Sequence, residues 1–250
     1  MVNTKKKKEE VVLNLDTLGV PIAIIFSGIL IAAVIFFASR SNNPVNNGSA
    51  DNGDTDIVDD TTDTLAEAKV SLGDDPYLGD KENAKVAIID FSDYQCGYCQ
   101  RHVEETFPSI KTNYIDTGKI VYVFKEFPLS TAGDIGYTTA EGGSCVFNLA
   151  GNDAFVSYHK AAFFKENKSE LVALATGLGI NETEFTACLD EGRYSSEIDA
   201  DAAEGRSAGI SGTPGFIVGL IGEDGVVEGK LISGAYPYDT FVEAIEELLK

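Results

Sequence analysis

The 250-residue chain is short of positive charge. Nineteen Lys and Arg stand against 40 Asp and Glu, a formal net charge of −21. A surface of that sign is repelled by phosphate, which argues against nucleic acid and anionic lipid headgroups as partners; its ordinary effects are solubility and self-repulsion. Histidine is scarcer, with two residues, and the four cysteines supply a single close pair. Structural zinc usually takes four such ligands, often as two close pairs. Cys145 and Cys188 stand alone, 43 positions apart, so a zinc centre is not expected, and neither is an organic cofactor. No internal repeat is present, and no A-x-A cleavage site follows the one long apolar run, whose exit reads "FFASRSNN".

That run is Thr17–Ser39, 23 residues without a formal charge, centred on "VPIAIIFSGILIAAVIFF". As a helix it would span roughly 34 Å, enough to cross a bilayer. Signal peptides have apolar regions of only about 7–15 residues, so a retained anchor is expected. Lys5, Lys6, Lys7 and Lys8 precede it and only Arg40 follows closely. This asymmetry keeps residues 1–16 in the cytoplasm and sends the rest outside, a single-pass arrangement in the cytoplasmic membrane. Residues 40–75 read as an acidic flexible linker. From Ser41 onward it holds nine acidic residues against Lys69 and almost no large apolar side chain, too little to fold. Its carboxylates lack the fixed spacing of a cation-binding loop.

A folded region is expected over 76–250. "KVAIIDFS" (Lys85–Ser92) and "KIVYVFKEF" (Lys119–Phe127) read as buried strands. Between them Gly97 to about Thr117 has helical spacing at Val103, Phe107 and Ile110, with a kink expected at Pro108 and a stop at Gly118. Five helical stretches follow: Ile135–Ala150, Asp153–Phe164, Ser169–Leu178, Glu182–Glu191 and Tyr194–Ala208. Asn181 and Glu184 are spaced as a capping box. Two strands, Gly215–Ile221 and Val226–Gly234, turn at Glu223–Gly225, and an amphipathic helix Tyr238–Leu249 ends the chain. The order β-α-β, helical block, β-β-α indicates an α/β domain carrying a helical insertion at about 130–208.

Cys96 and Cys99 sit in "FSDYQCGYCQRH", where a strand and loop open into a helix. The free N–H groups and positive dipole end of that helix favour a thiolate at Cys96, which makes it both a nucleophile and a good leaving group. Cys99 lies one turn on, within reach to resolve a mixed disulfide. Cys-x-x-Cys in a βαβ setting is therefore read as a redox pair. Cys145 and Cys188 lie beside apolar residues in the helical block. They are either two buried thiols acting as small hydrophobes or one disulfide closing a loop of about 43 residues, and an oxidising compartment favours the disulfide. His102 reads as a solvent-facing residue on the helix flank, with a lesser reading as a group that raises the thiolate population, and His159 as a satisfied packing residue. Asp90 reads as the end of a strand, with a lesser reading as a buried proton acceptor.

"DFSDYQCGYC", "FKEFPL", "SGTPGFIV" and "LISGAYPYDTFVEAI" together resemble a thiol-disulfide oxidoreductase of the DsbA family, over about Pro76–Lys250. The resemblance implies a thioredoxin fold with an inserted helical domain. It implies that Cys96 is the attacked and attacking sulfur and Cys99 the buried resolving thiol. It implies a cis Thr213–Pro214 bond facing the pair, which presents the Thr213 backbone to a substrate peptide, and it agrees with a structural Cys145–Cys188 disulfide. The implied partners are unfolded exported proteins and a membrane redox partner that reoxidises the pair. One departure stands out: many members have proline where this chain has Gly97. Gly-Tyr between the cysteines, and Thr before the proline, are similar to the family's isomerases. Those carry a dimerisation domain, which this chain does not display. Introduction of disulfides is the expected direction, with isomerase or reductase as the alternative and a non-catalytic binding domain as the competing class.

Overall fold

The computed structural model describes residues 67–250. The expected cytoplasmic segment 1–16, the anchor 17–39 and most of the expected linker lie outside them. Among the described residues, no helix is long and apolar enough to cross a membrane.

The scaffold is a six-stranded sheet. Its strands are β1 (Glu67–Ser71), β2 (Tyr77–Gly79), β3 (Val86–Ser92), β4 (Ile120–Glu126), β5 (Gly215–Ile221) and β6 (Val226–Ser233), in the spatial order β1-β6-β5-β3-β4-β2. Only β3 and β4 run parallel; Asp90 stands opposite Phe124 in that ladder. Every residue of β3 and β4 is buried, as the unbroken apolar runs require of strands covered on both faces. Side-chain alternation then sorts β3. Val86 and Ile88 join Phe107, Ile110, Phe216, Phe241 and Ile245 on one face, while Ala87, Ile89 and Phe91 join Val123, Ala202 and Ile217 on the other. Asp90, two after Ile88, faces the first of these cores. Burial of each such aliphatic or aromatic side chain contributes roughly 1.5–3 kcal/mol.

The first core is roofed by α1 (97–115) and by α6 (Tyr238–Leu248), which buries Phe241, Ala244 and Ile245. Helix α1 alternates α turns, Gly97–Arg101 and Phe107–Ile110, with π turns, His102–Thr106 and Lys111–Ile115. The first π turn leads into Pro108, whose missing N–H cannot close an α-helical bond; the wider turn absorbs the defect expected there as a kink.

The insertion runs through α2 (Ile135–Ala161), α3 (Lys168–Gly177), α4 (Glu182–Glu191) and α5 (Ser195–Ser207). Helix α2 is broken at Gly151 (φ 81°, ψ −173°), where the sequence separates two stretches. Asn167 and Asn181 cap α3 and α4 by accepting from the N–H of Glu170 and Glu184. Tyr158, Phe185, Ile198 and Leu171 close a core of their own that reaches Tyr94 and Cys99. Helix α5 also lies on the sheet, with Gly205 packed against Phe91 and Phe127.

The expected linker 40–75 is corrected at its end. Residues 67–71 form β1, antiparallel to β6, with Val70 opposite Val227. Ala68, Val70 and Leu72 are buried at every second position, a strand pattern that the neighbouring acidic residues mask in a composition-based reading. The folded region therefore begins before Pro76. Lys125, 4% exposed, ties this segment down: its Nζ lies 2.5 Å from Asp75, 2.8 Å from Asp201 and 3.1 Å from Glu204.

Candidate active site

Cys96 occupies the N-cap of α1 with extended backbone (φ −97°, ψ 117°), and its carbonyl accepts from the Gln100 N–H. The loop before it is pinned by Asp93, which accepts from the Gln95 N–H at 2.7 Å and from the Leu129 N–H at 2.8 Å. Cys96 is half-buried and Cys99 is fully buried; both are thiols here. A hydrogen bond from the Cys99 thiol holds Cys96 down at a pKa of about 5, against the opposing effect of burial. The N–H groups of Cys99 and Tyr98 act in the same direction. Burial pushes the Cys99 thiol well up, and the hydrogen bond to Cys96 adds to it. The two sulfurs are thus differentiated into an exposed thiolate and a covered thiol.

Thr213–Pro214 is cis, and the Thr213 carbonyl oxygen lies 3.3 Å from Cys96 Sγ, accepting from it while Cys96 is protonated. The loop from the insertion supplies a second wall: the Phe164 N–H donates to the Tyr94 carbonyl and the Gln95 side chain to the Lys165 carbonyl. Phe164 is a non-glycine residue at φ 55° and is 44% exposed. A Cβ on Gly97 would meet only the Phe164 ring, at 3.9 Å, so space does not require glycine between the cysteines.

Asp90, whose charge bears on Cys99, is 1% exposed, and its Oδ2 accepts from Tyr122 Oη at 2.8 Å while Oδ1 has no partner. Burial raises its pKa to about 7. Asp90 is interior to β3 and not its end. Tyr122 Oη also lies 3.0 Å from His102 Nε2. His102 is corrected outright: it is 1% exposed, not solvent-facing, and packs against both Phe216 and Phe241, at centroid distances of 4.5 and 5.3 Å, where those two rings also touch each other. It follows Cys99 by three residues and so shares its buried helical face. His159 packs as read, with Nδ1 3.0 Å from Tyr94 Oη, but its Nε2 is unpartnered. Burial lowers both imidazoles to about 3, so both are neutral. Cys145 and Cys188 are bonded to each other in the insertion, linking α2 to α4 within the core that also holds Cys99.

Three residues of the site escape the sequence reading: Asp93, Tyr94 and Tyr122. Asp93 had a local signal, since an Asp two residues before an N–H it can accept makes a turn. Tyr122 had none; its relation to Asp90 exists only through strand pairing.

Among proteins of known sequence, the chain is 26% identical over 180 residues to a Rickettsia conorii protein whose name provisionally assigns it as a protein-disulfide oxidoreductase, covering 70% of this chain and 61% of that one. It is 25% identical over 189 residues to disulfide bond formation protein D of Bacillus subtilis, covering 72% and 79%. The chain thus spans less than two thirds of the rickettsial relative. Oxidised BdbD of Bacillus subtilis superposes with a TM-score of 0.63 at 24% identity, over 74% of this chain and 98% of that one. Alpha-DsbA1 of Wolbachia pipientis superposes with a TM-score of 0.62 at 24% identity, over 70% and 91%. These likenesses establish the thioredoxin-like fold with its helical insertion. The family model described as thioredoxin matches residues 71–247, well over half the chain, and the chain belongs to the thioredoxin family.

Proposed function

We propose that the chain is a protein thiol-disulfide oxidoreductase that introduces disulfides into unfolded exported proteins, acting outside the cytoplasmic membrane to which residues 17–39 anchor it. The observation that carries the reading is the split between the two cysteines: an accessible Cys96 whose thiolate is favoured, and a buried Cys99 whose thiolate is not. The names of the rickettsial and Bacillus relatives agree with it.

In the forward step a substrate thiolate attacks Cys96 Sγ of the oxidised pair. A substrate–Cys96 bond forms, the Cys96–Cys99 bond breaks, and its electron pair leaves on Cys99, which takes a proton. A second substrate thiolate then attacks the substrate sulfur of the mixed disulfide and expels Cys96 as thiolate. The substrate has lost two electrons and the pair has gained them; a membrane redox partner takes them back. Asp90 is the proton donor and acceptor for Cys99: it is buried in β3, its charge bears on the Cys99 thiol, and it changes protonation near neutral pH. Stabilisation of the Cys96 thiolate favours the reduced pair, which is the direction of an oxidant and the reason to prefer it over an isomerase or reductase.

The test is Cys99→Ala in the full-length chain, expressed where exported proteins fold. Disulfide-linked adducts through Cys96, released by reductant and lost in Cys96→Ala/Cys99→Ala, are expected. Absence of any adduct would leave a non-catalytic binding domain as the better account.

A further inference from the structure

Asp90, Tyr122 and His102 come from β3, β4 and α1 and form one buried file, close enough to Cys99 for its charge and those of Asp90 and Tyr122 to act on one another. Tyr122 Oη carries a single proton and has two neighbours able to take it, Asp90 Oδ2 at 2.8 Å and His102 Nε2 at 3.0 Å. An ionised carboxylate is the stronger acceptor, so the proton points to Asp90. The contact with His102 then requires a proton on Nε2, donated to the phenol oxygen. This also suits the other ring nitrogen. Nδ1 is buried without a partner, and a bare acceptor there is less costly than a stranded N–H.

We infer that His102 is a positioning residue for thiol-disulfide exchange: its Nε2–H donates to Tyr122, Tyr122 donates to Asp90, and the imidazole thereby holds Asp90 in the ionised form that takes the Cys99 proton. The inference rests on the proton role proposed for Asp90. Hydrogen bonds in series strengthen one another, so a donor two groups away from the carboxylate still acts on it. The imidazole is neutral and supplies no charge, so its effect runs through this one bond. The other ionisable groups around the file are Cys99 on α1, Glu126 on β4, Tyr94 in the active-site loop and His159 on α2. None of them is a cation at neutral pH, so the Tyr122 hydroxyl is the only hydrogen-bond donor that the Asp90 side chain has among the described residues.

The step affected is reoxidation, in which Cys99 resolves the mixed disulfide that Cys96 forms with the redox partner. Asp90 removes the Cys99 proton, Cys99 Sγ bonds to Cys96 Sγ, the bond from Cys96 to the partner sulfur breaks, and the partner leaves as a thiolate. Its rate rises with pH through the Asp90 ionisation. His102→Phe keeps an aromatic ring against Phe216 and Phe241 and removes the donor. In single-turnover measurements on the full-length chain, it is expected to move that midpoint up by about 1 pH unit, about tenfold slower on the acid side. His102→Gln, which restores an N–H donor, should move it back. The ultraviolet titration of the Cys96 thiolate should stay put in both, which a general loosening of the site would not allow. Nitrogen NMR of the unmodified chain at pH 9 should find the His102 proton on Nε2, whether or not the variants fold. A proton on Nδ1 at that pH, or superimposable rate profiles for His102→Phe and the unmodified chain, would overturn the inference. The proposed function fails separately, by a Cys99→Ala chain that traps no adducts.

Discussion

A thiol that ionises near pH 5 is charged at pH 7, and the charge belongs to the reduced form alone. The sign of the resulting linkage is fixed. Cys96 is depressed in the folded chain relative to an unfolded thiol, so its contribution is full above the unfolded pKa of about 8.5 and is lost as pH falls through about 5. The reduced protein is therefore expected to be more stable than the oxidised one, with the difference growing between pH 5 and pH 8. Paired denaturant titrations of the two redox forms across that range check this. An oxidised form that is the more stable at pH 8 would reverse the assigned direction. At this scale much was legible. The Cys-x-x-Cys spacing, its place between a strand and a helix, and the Thr213-Pro214 dipeptide are all local in sequence. His102 shows the limit: the reading weighed its polarity above its spacing, although three residues after a buried Cys99 is the same helical face.

Among the elements, α2 and α4 are the pair held covalently. The Cys145–Cys188 bond closes 43 residues, and both sulfurs are buried in the insertion core. Replacing both cysteines by Ala is expected to cost about 4 kcal/mol of unfolding free energy, from the freedom returned to the unfolded chain. Denaturant unfolding measures the loss, and an unchanged thiolate titration at Cys96 shows that it is confined to the insertion. Helices and central strands could be read because periodicity and apolar runs are properties of contiguous residues. β1 and β2 could not. One hides an alternating Ala68-Val70-Leu72 pattern beside acidic residues, and the other is three residues long, set only by its pairing with β4. The π turns of α1 were equally hidden, because a widened turn leaves no mark beyond the proline that it accommodates.

The whole molecule carries carboxyl groups that resist ionisation. Burial raises Asp90 and Asp201 to about 7, with the charge of Asp75 assisting at Asp201, and burial raises Glu126 well above the ordinary carboxylate range, assisted by Asp201. Raised folded pKa values contribute stability that is full below the ordinary carboxylate range and is lost as pH climbs through the folded values. The neutral imidazoles of His102 and His159 act the other way, but only below about pH 6.5, where an unfolded histidine is protonated. Between pH 6.5 and 8.5 the carboxyl groups dominate, and the net charge of −21 adds repulsion of the same sign. The oxidised protein, in which neither active-site sulfur titrates, is expected to lose a few degrees of melting temperature over that interval at fixed ionic strength. A melting temperature that rises would mean that these carboxylates are ionised in the fold. Net charge was plain from composition, but the burial of Asp90, Glu126 and Asp201 depends on strand pairing and on the seat of α5, and both are long-range facts.

β3 lies in the middle of the sheet, bonded along its length to β4 on one side and β5 on the other, and Asp90 is part of it. Cys96, by contrast, sits in the loop and helix start beyond its end. Breathing of the catalytic rim, where incoming polypeptides must be admitted, can therefore proceed without exposing the acid. Amide exchange at Asp90 should demand global opening, while exchange around Cys96 need not. Electrons are traded in a part of the molecule that can loosen, and the proton is stored in the part that cannot.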